Sequence, residues 1–77
     1  MEELVEYLVR SLVDEPDEVT VDAFEEDDGT VVIELRVADD DVGKVIGKGG
    51  RTVGALRTVT KASAVREGCR VLVDVVD

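Results

Sequence analysis

The first half of the chain shows one helical and two alternating patterns of apolar residues. Residues 2–13 carry apolar side chains at the spacing of a single helix face, at Leu4, Val5, Leu8, Val9 and Leu12. Residues 18–25 and 30–37 alternate between apolar and polar positions, which predicts two strands. The pair Asp28-Gly29 between them is a typical hairpin turn. We therefore expect a helix followed by a β-hairpin.

The second half predicts two helices and a last strand. A short apolar patch predicts a helix over about residues 40–46, and a longer helix follows over 50–65. Residues 69–76 alternate again and predict a strand. The order α-β-β-α-α-β indicates an α+β fold in two layers, a three-stranded sheet with helices on one face. The inward residues of the longer helix are predicted to be Val53, Leu56, Val59 or Thr60, and Ser63.

Four local features carry predictions of their own. Asp39-Asp40-Asp41 precedes the short helix and is expected to cap its N-terminus. Gly54 costs a helix interior about 1 kcal/mol relative to alanine, so we expect close packing there. Phe24 interrupts the alternation of the first strand and suggests a twist or bulge. Cys69 is expected to be a small buried apolar residue.

Composition excludes several classes of protein. The 77 residues predict one domain over 1–77 with a marginal core, and they include one cysteine and no histidine. An intramolecular disulfide is excluded, and zinc sites and histidine-based catalysis lose their usual residues. We expect no cofactor, no metal site and no catalytic residue. Without an apolar run of membrane-spanning length or a signal-peptide pattern, the expected location is the cytoplasm.

The net charge of −10 is distributed very unevenly along the chain. Residues 1–43 hold sixteen acidic and two basic residues, whereas residues 44–70 hold seven basic residues and one acidic residue. The field around the second region is therefore predicted to be positive although the molecule is acidic. The many acids and few lysines fit either adaptation to a salty cytoplasm or an ordinary acidic surface, and the sequence leaves both open.

Residues 42–53, VGKVIGKGGRTV, place a glycine-bracketed loop between the two predicted helices. Glycines at 47, 49 and 50 allow another backbone to approach closely, and the start of the following helix presents free N–H groups to an anion. Lys44, Lys48 and Arg51 add positive charge. This combination favours a phosphate-bearing ligand over a simple helix–helix turn with incidental lysines.

Two other glycine motifs do not fit. A dinucleotide fingerprint requires a third glycine where this chain has Thr52. A Walker A loop requires four residues before its Gly-Lys pair and a serine or threonine after it, but only three residues separate Gly43 from Gly47, and Gly49 follows Lys48.

The segment 45–53, VIGKGGRTV, resembles the core of a KH domain, whose GXXG loop clamps the backbone of about four nucleotides. The element order resembles the type II KH arrangement over the whole chain, and the small size and the N-terminal ELVEYLV stretch are similar to the KhpA-like family of small single-KH bacterial proteins. The resemblance implies a non-enzymatic protein that binds single-stranded RNA. The RNA-binding residues that it implies are Lys44, Val45, Ile46, Gly47, Lys48, Gly49, Gly50, Arg51, Val53 and Arg57.

The resemblance also implies a role and partners. In this interpretation the protein is an RNA chaperone or post-transcriptional regulator that forms a homodimer, or a heterodimer with a larger KH-containing protein. Bases are expected in an apolar groove floored by Val45, Ile46, Val53 and Leu56, with the second strand (Ile33, Leu35) beyond. The exposed sheet face around Val32, Leu72 and Val76 is one candidate dimer surface. The alternatives are single-stranded DNA as the ligand, or a protein-interaction scaffold with little RNA affinity.

Overall fold

The computed structural model describes residues 2–76 and contains the six predicted elements in the predicted order. Three short 3-10 turns connect these elements, at Pro16–Glu18, Asp39–Asp41 and Lys48–Gly50. Helix α3 ends where Gly68, at φ 73°, turns into the left-handed region and donates to the carbonyls of Ala64 and Val65. The elements are α1 (Glu2–Leu12), β1 (Thr20–Glu25), β2 (Val31–Arg36), α2 (Val42–Ile46), α3 (Arg51–Glu67) and β3 (Val71–Val76).

The sheet has the strand order β1-β2-β3, which places β2 in the centre. Strands β1 and β2 form the predicted antiparallel hairpin, with Thr20 opposite Arg36 and Glu25 opposite Val31. Strand β3 pairs in parallel with β2, and Val71 lies opposite Val31. A parallel neighbour requires a long crossover, which α2 and α3 supply. The strand that follows α3 is therefore an edge strand next to that helix.

The core lies between the sheet and the helices, as the alternation of the strands predicts. Ile33 and Leu35 of the central strand are fully buried. Each helix contributes residues from its apolar face, and small aliphatic side chains fill most of the space, as expected for a chain with few aromatic residues. The buried core residues are Val5, Val9, Val19, Ile33, Leu35, Val45, Leu56 and Val73.

The aspartate triplet supplies the N-cap residue of α2, as predicted, but not a side-chain capping bond. Asp41 occupies the N-cap position, but its carboxylate makes no capping hydrogen bond there. It is 1% exposed and instead accepts from the backbone N–H groups of Asp14 and Glu15, at 3.2 and 3.0 Å. The residue therefore joins the loop after α1 to the start of α2, a long-range contact that local sequence signals do not reveal.

The structure corrects four further local predictions. Apart from the adjoining residues and the backbone of its own helix, no atom lies within 4 Å of a Cβ built on Gly54, so the expected close packing is wrong. Phe24 keeps regular pairing with Val32 and marks no bulge. Ala64 is buried where Ser63 was expected, because the inward positions continue from Thr60 by four residues rather than three. Cys69 precedes β3 and is a half-buried free thiol.

Candidate nucleic-acid interface

The glycine loop connects α2 to α3 through three residues with left-handed backbone. Gly47, Gly49 and Gly50 have φ values of 76°, 65° and 77°, a region that other residues adopt rarely. The Gly47 N–H ends α2 by donating to Gly43 O at 2.8 Å, and the Gly50 N–H donates to Gly47 O at 3.1 Å. Gly50 is the N-cap of α3 and provides no side-chain cap. The Arg51 N–H donates to Lys48 O. The other N–H groups of the first turn of α3 lack a side-chain cap and can donate to an external anion.

Gly47 is required for a steric reason as well as for its φ. A Cβ at this position would lie 2.3 Å from the Oγ1 atom of Thr52, and 2.9 Å from the backbone nitrogen of the same residue. The space around the other two loop glycines, Gly49 and Gly50, is open within 4 Å. The loop thus packs tightly on its α3 side at Gly47 and exposes bare backbone at Gly49, where a ligand can approach.

The positive charges near the loop are not equivalent. Lys48 and Arg51 are exposed and form no ion pair with residues in the described range 2–76. Lys44 instead donates a hydrogen bond to Asp14 and lies 3.7 Å from Asp41 Oδ1. The hydrogen bond with Asp14 raises the pKa of Lys44 above its ordinary value of 10.5. Lys48 and Arg51 are therefore free to meet a phosphate, whereas the charge of Lys44 is already engaged.

A groove runs from the loop along the edge of the sheet between α3 and β3. Near the loop it has a volume of about 590 Å³, and its lining is mainly aliphatic. Arg57 spans the groove, and its Nε and one terminal nitrogen donate to Val73 O at 3.2 and 3.1 Å. This part of the groove is lined by Ile46, Val53, Arg57, Asp74, Val75 and Val76. Aliphatic walls with two charged residues suit a planar base better than a phosphate.

The structure brings most of the predicted site residues together, but it changes the roles of some. Residues 46–51 form the loop and its rim, and Val53 and Arg57 line the adjoining groove. Val45 is fully buried in the core, so it supports the loop from beneath and presents no surface to a ligand. The predicted wall is wrong: Ile33 and Leu35 of β2 are fully buried, and β3 forms the side of the groove opposite α3.

The residues of β3 are the ones that sequence reasoning missed. Asp74, Val75 and Val76 line the groove together with Ile46 and Val53 of the helical side. A signal for this arrangement was present, since a strand that returns from α3 parallel to β2 pairs beside it and takes the edge next to that helix. The alternation of residues 69–76 alone did not distinguish the edge from the centre of the sheet.

Two other kinds of site do not occur within residues 2–76. No cluster of three or more cysteine, aspartate or glutamate side chains in this range has the geometry to hold a metal ion. In the same range no helix has both the length and the apolar character needed to cross a membrane.

The helix–GXXG–helix unit, carried on a three-stranded sheet with a parallel β2–β3 pair, defines a KH domain of the type II arrangement. A family model described as the KhpA/KhpB KH domain matches residues 2–75. The chain therefore belongs to the KhpA/KhpB KH-domain family.

Individual relatives match this chain over nearly their full length. The chain is 51% identical to RNA-binding protein KhpA of Halalkalibacterium halodurans, with all of both chains covered. It is 49% identical to the protein of the same name from Clostridium acetobutylicum, over 99% of this chain and 100% of the relative. The protein of that name from Treponema pallidum is also 49% identical, over 99% of this chain and 94% of the relative. These relatives are named as binding proteins, and the family is non-enzymatic, as the sequence predicted.

Proposed function

We propose that this protein binds single-stranded RNA across the glycine loop. The observation that carries the proposal is the juxtaposition of bare loop backbone with two unpaired cations, Lys48 and Arg51, in a chain that is otherwise strongly acidic. Relatives of similar length are named RNA-binding proteins, which supports RNA as the ligand. Single-stranded DNA is the competing ligand. RNA differs from DNA by its 2′-OH group, and no residue lining the groove is proposed to contact this group.

The phosphate backbone is held where the loop meets α3. Backbone N–H groups of Lys48 and Gly49 and the side chains of Lys48 and Arg51 contact the phosphates, whereas the N–H groups of Gly50 and Arg51 already donate to loop carbonyls. The exposed backbone at Gly49 permits close approach. Lys44 joins them only when it leaves Asp14, so its contribution is smaller than that of Lys48. Arg57 keeps its place across the groove through Val73 O and offers its remaining N–H groups to a base.

The bases lie in the groove between α3 and β3. Ile46 and Val53 form one side, and Val75 and Val76 form the other. The groove lining contains no aromatic side chain for stacking, so affinity is modest and few nucleotides are read. A second KH unit adds avidity to such a site, which supports a homodimer or a heterodimer with a larger KH-containing protein. In this proposal the protein acts in the cytoplasm as an RNA chaperone or post-transcriptional regulator.

The test is binding of a labelled single-stranded RNA pool to wild type and to the double variant Lys48→Asp/Gly49→Asp, followed over a salt series. The substitution replaces a cation by two anions at the loop, so we expect affinity to fall at least tenfold. The slope of log affinity against log salt should also decrease, because fewer phosphates are neutralised. The same titration with single-stranded DNA distinguishes the two nucleic acids.

A matched control is Arg10→Asp/Ser11→Asp. It changes the net charge by the same amount at exposed positions of α1, away from the loop. This control should bind RNA nearly as well as wild type, with circular dichroism showing that both variants are folded. Equal losses in the two variants would mean that net charge, and not the loop, governs binding.

The alternative function is a protein-interaction scaffold with little RNA affinity, favoured by the net charge of −10. In that case wild type would bind neither nucleic acid at low salt, and the loop variant would retain any protein partner that wild type captures. RNA binding that the loop variant loses would exclude this alternative.

A further inference from the structure

The face of the sheet that points away from the helices has an ordered chemical pattern. Side chains alternate along each strand, so every second residue lies on this face. The cross-strand register places Phe24 opposite Val32, and Val32 opposite Leu72, which gives one apolar row across all three strands. The next row consists of Asp22, Glu34 and Asp74, which also lie directly opposite one another. The row beyond it consists of Thr20, Arg36 and Val76. We name the whole surface the open sheet face.

The apolar row exposes large side chains to solvent. Phe24 is 50% exposed and Leu72 is 49% exposed, although the core of this small domain is built almost entirely from smaller aliphatic residues. Phe24 is also the one phenylalanine of the chain. Aromatic residues are enriched in the centres of protein interfaces, whereas nothing in the fold requires one at this position.

The acidic row is unfavourable for the isolated fold. Like charges directly opposite one another on neighbouring strands destabilise a sheet, and here three carboxylates share one row. The one ion pair that residues 2–76 provide to this row joins Glu34 to Arg36, at 4.0 Å. A cationic partner would relieve this repulsion while covering the apolar row beside it.

The negative charge of this face favours some kinds of binding partner over others. RNA and anionic lipid would meet three carboxylates against the one guanidinium of Arg36, and a second copy would bring the same net-negative surface against itself. The face is also small: with strands about 4.8 Å apart and same-face residues about 7 Å apart, its three rows span roughly 10 by 14 Å. A stable globular interface needs about 800 Å² per partner, so a short segment fits better than a whole domain.

We propose that the open sheet face docks a short basic segment of another protein, with lysine or arginine side chains over the acidic row and aliphatic or aromatic side chains over the apolar row. This inference does not depend on the RNA proposal. Asp22, Phe24 and Glu34 lie outside the groove lining, so both ligands can be held together. Asp74 and Leu72 belong to the edge strand that borders both surfaces.

The experiment uses a synthetic peptide of alternating lysine and leucine as the probe, titrated into isotopically labelled protein and followed by NMR. We expect the largest shift changes at residues of the apolar and acidic rows on β1 and β2, and affinity that falls with salt. A peptide with glutamate in place of lysine should not bind. The variant Asp22→Asn/Glu34→Gln should weaken binding of the lysine peptide at least fivefold, and Phe24→Ser should weaken it similarly.

The control for nonspecific attraction is Asp39→Asn/Asp40→Asn, which removes two exposed carboxylates elsewhere. It should bind the peptide like wild type, and RNA binding by Asp22→Asn/Glu34→Gln should also remain unchanged. The proposal is overturned if the two double variants bind the peptide equally, if the shifts spread over α1 and the hairpin tip, or if wild type binds no peptide. Sedimentation that shows a dimer broken by Phe24→Ser would instead assign the face to a second copy.

Discussion

At the scale of single residues, Asp41 contributes most through contacts distant in sequence. Its buried carboxylate accepts hydrogen bonds from two backbone N–H groups in the loop after α1. It also lies near Lys44, which donates a hydrogen bond to Asp14. The residue therefore fixes the position of α2 relative to α1, and α2 leads directly into the glycine loop. A carboxylate that satisfies two amides stabilises more than an ordinary surface charge does.

Replacing Asp41 by alanine should lower the free energy of unfolding by about 1–3 kcal/mol, because two backbone donors lose their acceptor. Asp41→Asn should lose less, since one acceptor oxygen is retained. Urea unfolding monitored by circular dichroism measures both. Asp39→Ala, at an exposed neighbouring position, serves as the control and should change stability by less than about 0.5 kcal/mol. Equal effects at the two positions would contradict the role of Asp41.

Asp28 gives a prediction of pH dependence. The Thr30 N–H donates to its carboxylate at 2.9 Å, and this bond lowers the pKa of Asp28 below 3.8. A lowered pKa stabilises the folded state above pH 3.8, and this contribution is lost as pH falls through the folded-state pKa. NMR titration of the side-chain carboxyl carbons should show Asp28 titrating below pH 3.8. A value at or above 3.8 would mean that the turn bond is not formed in solution.

At the scale of elements, α3 connects the loop, the groove and the core. Its buried stripe of Val53, Leu56, Thr60 and Ala64 rests on the sheet side, while Arg57 reaches across to β3. The hydrogen bonds to Val73 O occupy one acceptor of the exposed strand edge. Helix α3 therefore forms one wall of the groove, and Arg57 connects it by hydrogen bonds to β3, which forms the other wall.

Gly54 is the weak point of this helix, because within residues 2–76 no atom beyond the adjoining helix backbone lies within 4 Å of a Cβ built on it. We expect Gly54→Ala to raise the free energy of unfolding by about 0.5–1 kcal/mol, because alanine reduces the backbone entropy lost on folding and meets no atom within 4 Å. Thermal and urea unfolding measure the change. Gly47→Ala is the opposite case and should destabilise the protein, since its Cβ would collide with Thr52. A loss of stability in Gly54→Ala would indicate that a close neighbour does occupy this side of α3.

At the scale of the whole molecule, charge is separated between surfaces. The cations that form no ion pair within residues 2–76 lie on the loop, α3 and the approach to β3, whereas acids dominate α1, the hairpin tip and the open sheet face. This separation lets an acidic protein keep a positive binding surface. It also brings many carboxylates close together on α1, the hairpin tip and the open sheet face, where they repel one another.

The salt dependence of stability follows from this repulsion. Because the net charge is −10, raising KCl from 0.05 to about 1 M should screen the acids and raise the unfolding midpoint. RNA affinity should fall over the same range. A protein adapted to a salty cytoplasm would be poorly folded at the low concentration. Full stability there would favour an ordinary acidic surface instead.

The sequence by itself determined the elements, their order and the loop. Periodicity located α1, the hairpin and α3, because apolar side chains must repeat with the geometry of the element that buries them. The GXXG loop was predictable because its backbone requires glycine. The same residues carried the resemblance to the family whose model matches the chain.

Only the tertiary structure decided which strand borders the groove, which cation is free and which carboxylate is buried. Val45 and Ile46 are neighbours with the same chemistry, yet one is fully buried and the other is 38% exposed at the groove. Lys44 and Lys48 differ because Asp14, thirty residues from Lys44 in sequence, lies beside only the former. Contacts between segments that are distant in sequence determine these differences. A local pattern of residues does not specify which distant segment will pack beside it.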